Sequence, residues 1–153
     1  MKTPHWLFNS SIYTLCSMLF LLSASTSLLA QNQNITITFK QLSNKKGQIV
    51  IDVFNSEKGF PLKNEKAVYQ HKVNIGSGIT KTTLQLPKGE YAIAAYHDAN
   101  MNNELDNNFI GMPTEGVCAS NNAKGKLGPP KYADARFNVK NAAITMELYM
   151  LYF

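Results

Sequence analysis

The chain has 153 residues and a formal net charge of +5, which bounds it to one small domain with one core. Its basic residues (Lys45-Lys46, Lys63, Lys66, Lys124, Lys126, Lys131) are scattered rather than collected on a helical face. No motif accompanies them, so nucleic acid is not an expected partner. Cys118 is the only cysteine beyond the first thirty residues, which excludes an intramolecular disulfide.

The first segment, residues 1–30, reads as a signal peptide. Lys2 and His5 open it, Leu15 and the run Met18 to Leu22 form an apolar centre, and Ala30 offers a small residue at the cut site. That centre is short and interrupted by Ser and Thr, which argues against a retained membrane span. Residues 31–153 are then expected as a single exported domain, periplasmic or extracellular, with no integral membrane segment.

Period-two alternation dominates residues 31–153. Ile35, Ile37 and Phe39 alternate with Thr36, Thr38 and Lys40, the pattern of a strand with one wet face. Gln48 to Phe54 is apolar enough to lie well inside a sheet. Tyr69–Ile75 and Ile79–Leu86 read as two further strands, and Gly76-Ser77-Gly78 between them is a hairpin signal. Pro87-Lys88-Gly89 is a tight turn leading into Tyr91–Tyr96, whose small alanines predict close packing in mid-sheet. A stretch rich in Asn, Gly and Pro runs from Asp98 to Tyr132; Phe109, Ile110, Met112, Val117 and Leu127 are expected to pin it to the core. Ala135, Phe137 and Val139, then Ile144, Met146, Leu148 and Met150, predict two closing strands. The sum is an all-β, antiparallel β-sandwich of about seven strands, immunoglobulin-like or prealbumin-like, with one long ordered loop. A small barrel of the same strands is the alternative.

One segment has the spacing of a metal loop. Asp98, Asn100, Asn102 and Asp106 place oxygen side chains at the first, third, fifth and ninth positions, and Glu104 would offer its backbone carbonyl. Asn103 falls where such loops turn through positive φ, and Leu105 would tuck into the core. Phe109 stands where a bidentate glutamate closes an EF-hand cage, so Glu115, Asn107 or Asn108 would have to complete the shell. The expected ion is Ca²⁺, bound weakly at roughly 10⁻⁴ to 10⁻³ M; the alternative is an Asn-rich loop satisfied by Asx-turns. No catalytic residues are assigned. Cys118 and Ser120 lack the surroundings of a nucleophile, a small hydrolase being the weaker reading, and His97 reads as a hydrogen-bonded structural histidine.

Several motifs together carry a resemblance. Leu86-Pro87-Lys88-Gly89-Glu90-Tyr91-Ala92, His97-Asp98, Asn100, Asn102, Leu105-Asp106, Gly111-Met112-Pro113-Thr114-Glu115, Ser120-Asn121-Asn122-Ala123 and Gly128-Pro129-Pro130 occur in this order. The stretch from about Gly47 to Leu148 resembles the bacterial family called domain of unknown function 2141. That resemblance implies a secreted or periplasmic β-sandwich with no established activity. The family usually has glycines where this chain has Met101 and Asn103, and Gly-Phe where it has Cys118-Ala119. The expected role is therefore a non-enzymatic exported domain whose loop orders a binding surface for an extracellular polymer or a cell-envelope protein. The alternative is a carbohydrate- or surface-polymer-binding module using exposed aromatics such as Tyr132.

Overall fold

The computed structural model describes residues 31–76 and 80–153. The signal peptide expected at residues 1–30 and the Ser77-Gly78 part of the expected hairpin lie outside those residues. Among them, no helix is long and apolar enough to cross a membrane.

The described residues form eight strands in order: β1 Gln33–Lys40, β2 Gln48–Phe54, β3 Tyr69–Asn74, β4 Thr80–Leu86, β5 Gly89–Asp98, β6 Val117–Ala119, β7 Phe137–Val139 and β8 Ile144–Tyr149. One sheet has the order β4-β1-β8, and the other β3-β2-β5-β6 with β7 also paired to β5. The two sheets share one apolar cluster. Ile35, Ile37, Phe39, Leu84 and Leu148 come to it from the first, and Ile49, Ile51, Val53, Ile93 and Ala95 from the second. This is the sandwich that the alternation predicts, since each strand sends every second side chain inward. Each fully buried aliphatic side chain contributes about 1.5–3 kcal/mol, so the core holds the domain without a disulfide.

β2 and β5 are buried on both faces. The outer side of their sheet is covered by a second, smaller cluster in which Ala92, Ala119 and Ala135 lie under Phe60, Ala123 and Tyr132. Phe60 is packed edge-on against Phe54 at 5.4 Å and against Tyr132 at 5.8 Å between ring centroids. Only alanine-sized residues leave room for these rings close to the sheet.

Four expectations change. β3 and β4 do not form a hairpin: β3 pairs with β2 and β4 with β1, in different sheets. The two strands are bridged across the sheets by a 3.0 Å hydrogen bond between His71 Nε2 and Thr82 Oγ1. The pairing is also not wholly antiparallel, because β8 runs parallel to β1. β7 leaves one sheet and the chain crosses to the other, so β8 starts beside the start of β1. Ala135 belongs to a single helical turn, α1 Tyr132–Ala135, and the strand begins at Phe137. Finally, the long Asn-rich stretch is broken by β6 and by a 3-10 turn at Ser120–Asn122.

Register fixes which connections share an end. Gln48 pairs with Asp98, and Phe54 with Ala92; Gln33 pairs with Leu86, which precedes β5 by two residues. The segments 41–47, 75–76 and 99–116 therefore lie at the Asp98 end of the sandwich. Those at 55–68, 87–88, 120–136 and 140–143 lie at the opposite, Gly89 end.

Candidate functional site: the Asp98–Glu115 loop

β5 is the central strand of its sheet, and its last residue starts the loop. Asp98 is 0% exposed. Its Oδ1 accepts the Asn102 N–H at 3.0 Å, and its Oδ2 accepts the Asn103 N–H at 2.9 Å. Gln48 Nε2, from the residue paired with it on β2, donates to the same Oδ2 at 2.8 Å. A buried carboxylate is tolerated only with such donors around it. The loop thus curls back on its own first residue.

That curl needs two left-handed residues. Met101 and Asn103 have φ of 63° and 67°, the region where a Cβ is disfavoured and asparagine is tolerated best. The side chain of Asn103 is put to use: its Oδ1 accepts Lys72 Nζ at 2.6 Å and Gln48 Nε2 at 3.0 Å. Gly47 closes the root from the other side with φ +74°, and a Cβ there would overlap the Asp98 carbonyl oxygen.

Glu115 provides a second brace. Its Oε1 accepts the Ala99 N–H at 3.0 Å, and its Oε2 accepts the Asp106 N–H at 3.2 Å. One carboxylate therefore staples the outgoing and returning halves of the loop. Beyond it the chain forms a narrow tip closed by Asn108, whose Oδ1 accepts the N–H groups of Ile110 at 3.1 Å and Met112 at 2.9 Å. Phe109 at the apex is 99% exposed and Ile110 68%.

Four of the five apolar residues expected to pin the long stretch therefore do not. Phe109, Ile110, Met112 and Leu127 all face solvent, while Val117 is half-buried in β6 and Leu105 is half-buried. Polar side chains from Asp98, Glu115 and Asn108 hold the loop instead. Gln48 and Lys72 are parts of the site that the sequence reading misses, and Asn108, named there only as a shell ligand, closes the tip. Gln48 had a signal: a long polar side chain in a strand otherwise apolar enough to be buried, a position that demands a partner.

The candidate calcium ligands are brought together in part. Asn100 Nδ2 and Asn102 Nδ2 donate to Asp106 Oδ2 and Oδ1 at 2.7 and 3.0 Å. Asn100 Oδ1 accepts the Asn102 N–H, and Asn102 Oδ1 the Glu104 N–H, both Asx-turns. A cation would need amide oxygen where nitrogen now faces Asp106. Rotating Asn100 and Asn102 by half a turn supplies it, at the expense of those two turns. Two carboxylates and two amides are a donor set of the hard oxygen type. Among the described residues, no three His, Cys, Asp and Glu side chains gather where they would hold a metal ion, and Glu115 is committed to backbone amides.

His97 and Cys118 lie nearby without facing each other's chemistry. His97 Nε2 lies 2.8 Å from the Lys46 carbonyl, which can only accept, so Nε2 carries the proton and Nδ1 accepts the Tyr152 O–H at 2.7 Å. Tyr152 in turn accepts the Ser43 N–H at 3.0 Å. Gly116 makes room for that ring, since a Cβ there would overlap it. Cys118 faces the core, where burial pushes its thiol far above the usual range. Tyr132 is half-buried, its ring against Phe60 and its hydroxyl on the Glu90 carbonyl at 3.4 Å, so it offers no open aromatic platform.

Fold and loop together define a small all-β sandwich with one long, polar-braced loop at the end of its central strand. The chain belongs to the bacterial family DUF2141, described as an uncharacterized protein conserved in bacteria, whose profile matches residues 37–147. Comparison with curated proteins and with solved structures finds no match.

Proposed function

We propose that the chain is an exported, non-enzymatic binding domain, periplasmic or extracellular, whose Asp98–Glu115 loop holds an apolar tip out to a cell-envelope protein or an extracellular polymer. One observation carries the reading. Phe109 is 99% exposed at the apex of a loop whose base is stapled by two carboxylates. Exposing phenylalanine and isoleucine side by side sacrifices burial free energy, and rigid bracing lowers the ordering cost of a contact made there. The signal peptide read in residues 1–30 supports export. The inert surroundings of Cys118 and His97 support a binding role over a catalytic one. Immobilised Gln31–Phe153 should retain its partner from a detergent-solubilised envelope fraction, and Phe109→Ser/Ile110→Ser should release it. Equal retention by both would refute the tip as the binding surface.

A weak calcium site is the second reading, favoured by the hard-oxygen donor set that Asp98, Asn100, Asn102 and Asp106 would offer once the two amides now donating to Asp106 turned their oxygens inward. Calcium titrated into chelator-treated protein should give heat and raise the melting temperature, and Asp106→Ala should abolish both. No response up to several millimolar, roughly the affinity range of extracellular modules, would sink it.

A further inference from the structure

Most of the basic residues that are scattered in sequence gather at one end of the sandwich. Lys58, Lys63 and Lys66 lie in the connection between β2 and β3, and Lys124, Lys126 and Lys131 in that between β6 and β7, both at the Gly89 end. Lys88 and Lys140 occupy the turns beside them. Against these lysines this end sets Glu57, Glu65 and Asp134, while Glu90 is paired with Arg136 at 3.3 Å. The other ion pair among the described residues, Lys40–Glu147, involves none of these lysines. The Asp98 end sets Lys40, Lys45, Lys46, Lys72 and Lys81 against most of the remaining carboxylates, so the positive excess of the domain lies at the Gly89 end.

The lysine end also carries exposed apolar points. Gly125 packs directly on the backbone of Gly128 and Pro129, leaving no room for a Cβ. The loop is thereby drawn tight with Leu127 at its tip, 103% exposed. It folds around a recess of about 440 Å³ lined by Lys124, Lys126, Lys131 and Asp134. The neighbouring connection presents Leu62, 66% exposed; the two are locked together through the Phe60–Tyr132 ring contact.

We propose that the Gly89 end of the sandwich docks on an anionic lipid surface, with Leu127 entering the headgroup layer and the lysines around it meeting lipid phosphates. An apolar point ringed by lysines satisfies both parts of interfacial binding, apolar insertion and attraction to anionic lipid. A soluble anionic polysaccharide would use the lysines alone and leave Leu127 without a role. The surface lies at the opposite end from Phe109, so docking leaves that tip directed away from the bilayer. Docking at this end does not depend on the role proposed for the tip.

The test uses Gln31–Phe153, which forms one compact unit and contains every strand and both apolar clusters described above. The full chain's only tryptophan is Trp6, so Leu127→Trp and Phe109→Trp each install a single reporter at a fully exposed site. Vesicles of phosphatidylcholine with about 30% phosphatidylglycerol should sediment the domain at low salt, and pure phosphatidylcholine should not. Lys124→Gln/Lys126→Gln/Lys131→Gln should weaken partitioning about a hundredfold, since each lysine near such a surface contributes about a fivefold factor. The Leu127→Trp indole should shift to the blue on anionic vesicles, and the Phe109→Trp indole should not. The proposal is overturned if anionic vesicles bind no better than neutral ones, or if the Phe109→Trp indole shifts in place of the other. It is equally overturned if soluble polygalacturonate binds as tightly as the vesicles with the Leu127→Trp indole unshifted on lipid.

Discussion

Replacing Asp98 by alanine removes the acceptor around which the loop is wound. The wild-type carboxylate receives three hydrogen bonds, from Asn102 N, Asn103 N and Gln48 Nε2. Bonds to a charged acceptor contribute about 1.5–3 kcal/mol each, but two of the three donors have a second acceptor. Asn102 N also reaches Asn100 Oδ1, and Gln48 Nε2 reaches Asn103 Oδ1. Asn103 N is the one that loses its acceptor outright. Taking about 1 kcal/mol for each shared donor and about 2 for the orphan, less relief from burying a charge, gives a net loss of about 3 kcal/mol. At a urea slope of about 2 kcal/mol/M this lowers the unfolding midpoint by about 1.5 M. Asp106→Ala, which removes a half-buried carboxylate bonded to two loop amides, serves as the comparison and should cost less than about 1 kcal/mol. If the two variants lost the same stability, or Asp98→Ala lost under about 1 kcal/mol, bracing by Asp98 would be refuted.

Gly47→Ala should destabilise by at least about 2 kcal/mol, because the position has φ +74° and its Cβ would overlap the Asp98 carbonyl; thermal unfolding reads this directly. Asp52, on the outer face of β2, is 4% exposed, and burial raises its pKa against the opposing effects of the Gln70 hydrogen bond and the Lys72 charge. A raised carboxylate favours the folded state while protonated and loses that contribution as pH rises through its folded-state pKa. Asp52→Asn should therefore raise the melting temperature at neutral pH, and the gain should shrink in acid; a gain that grows on acidification would contradict the sign. Cys118 should resist a thiol reagent in the native state and react once urea unfolds the chain, since burial suppresses its thiolate. Rapid native reaction would reopen a nucleophilic role.

The strands were legible where the pleat imposes period two, as at Ile35, Ile37 and Phe39, all buried. Which strands paired was less legible, because the glycines after β3 say that the chain turns and not which sheet it enters. β6 leaves no sequence signature because Val117–Ala119 is too short for a period; it exists through its pairing with β5. In the loop, the left-handed turn at Asn103 could be read from the Asp/Asn spacing, and it is there. The apolar residues misled for a physical reason. Composition implies that phenylalanine and isoleucine seek a core, whereas here carboxylates fix the loop and free Phe109 to face outward. Charge misled in the same way, since lysines far apart in sequence meet at one end through the register of β2, β5 and β7.

Amide hydrogen exchange resolved along residues 99–116 separates a braced loop from a loose one, because the two differ there by orders of magnitude. Slow exchange is expected at Ala99, Asn102, Asn103 and Asp106, whose N–H groups are held by Glu115 and Asp98, with fast exchange at Phe109. Uniformly fast exchange across the loop would mean that nothing holds the tip in place, and would overturn the role given to the two carboxylates.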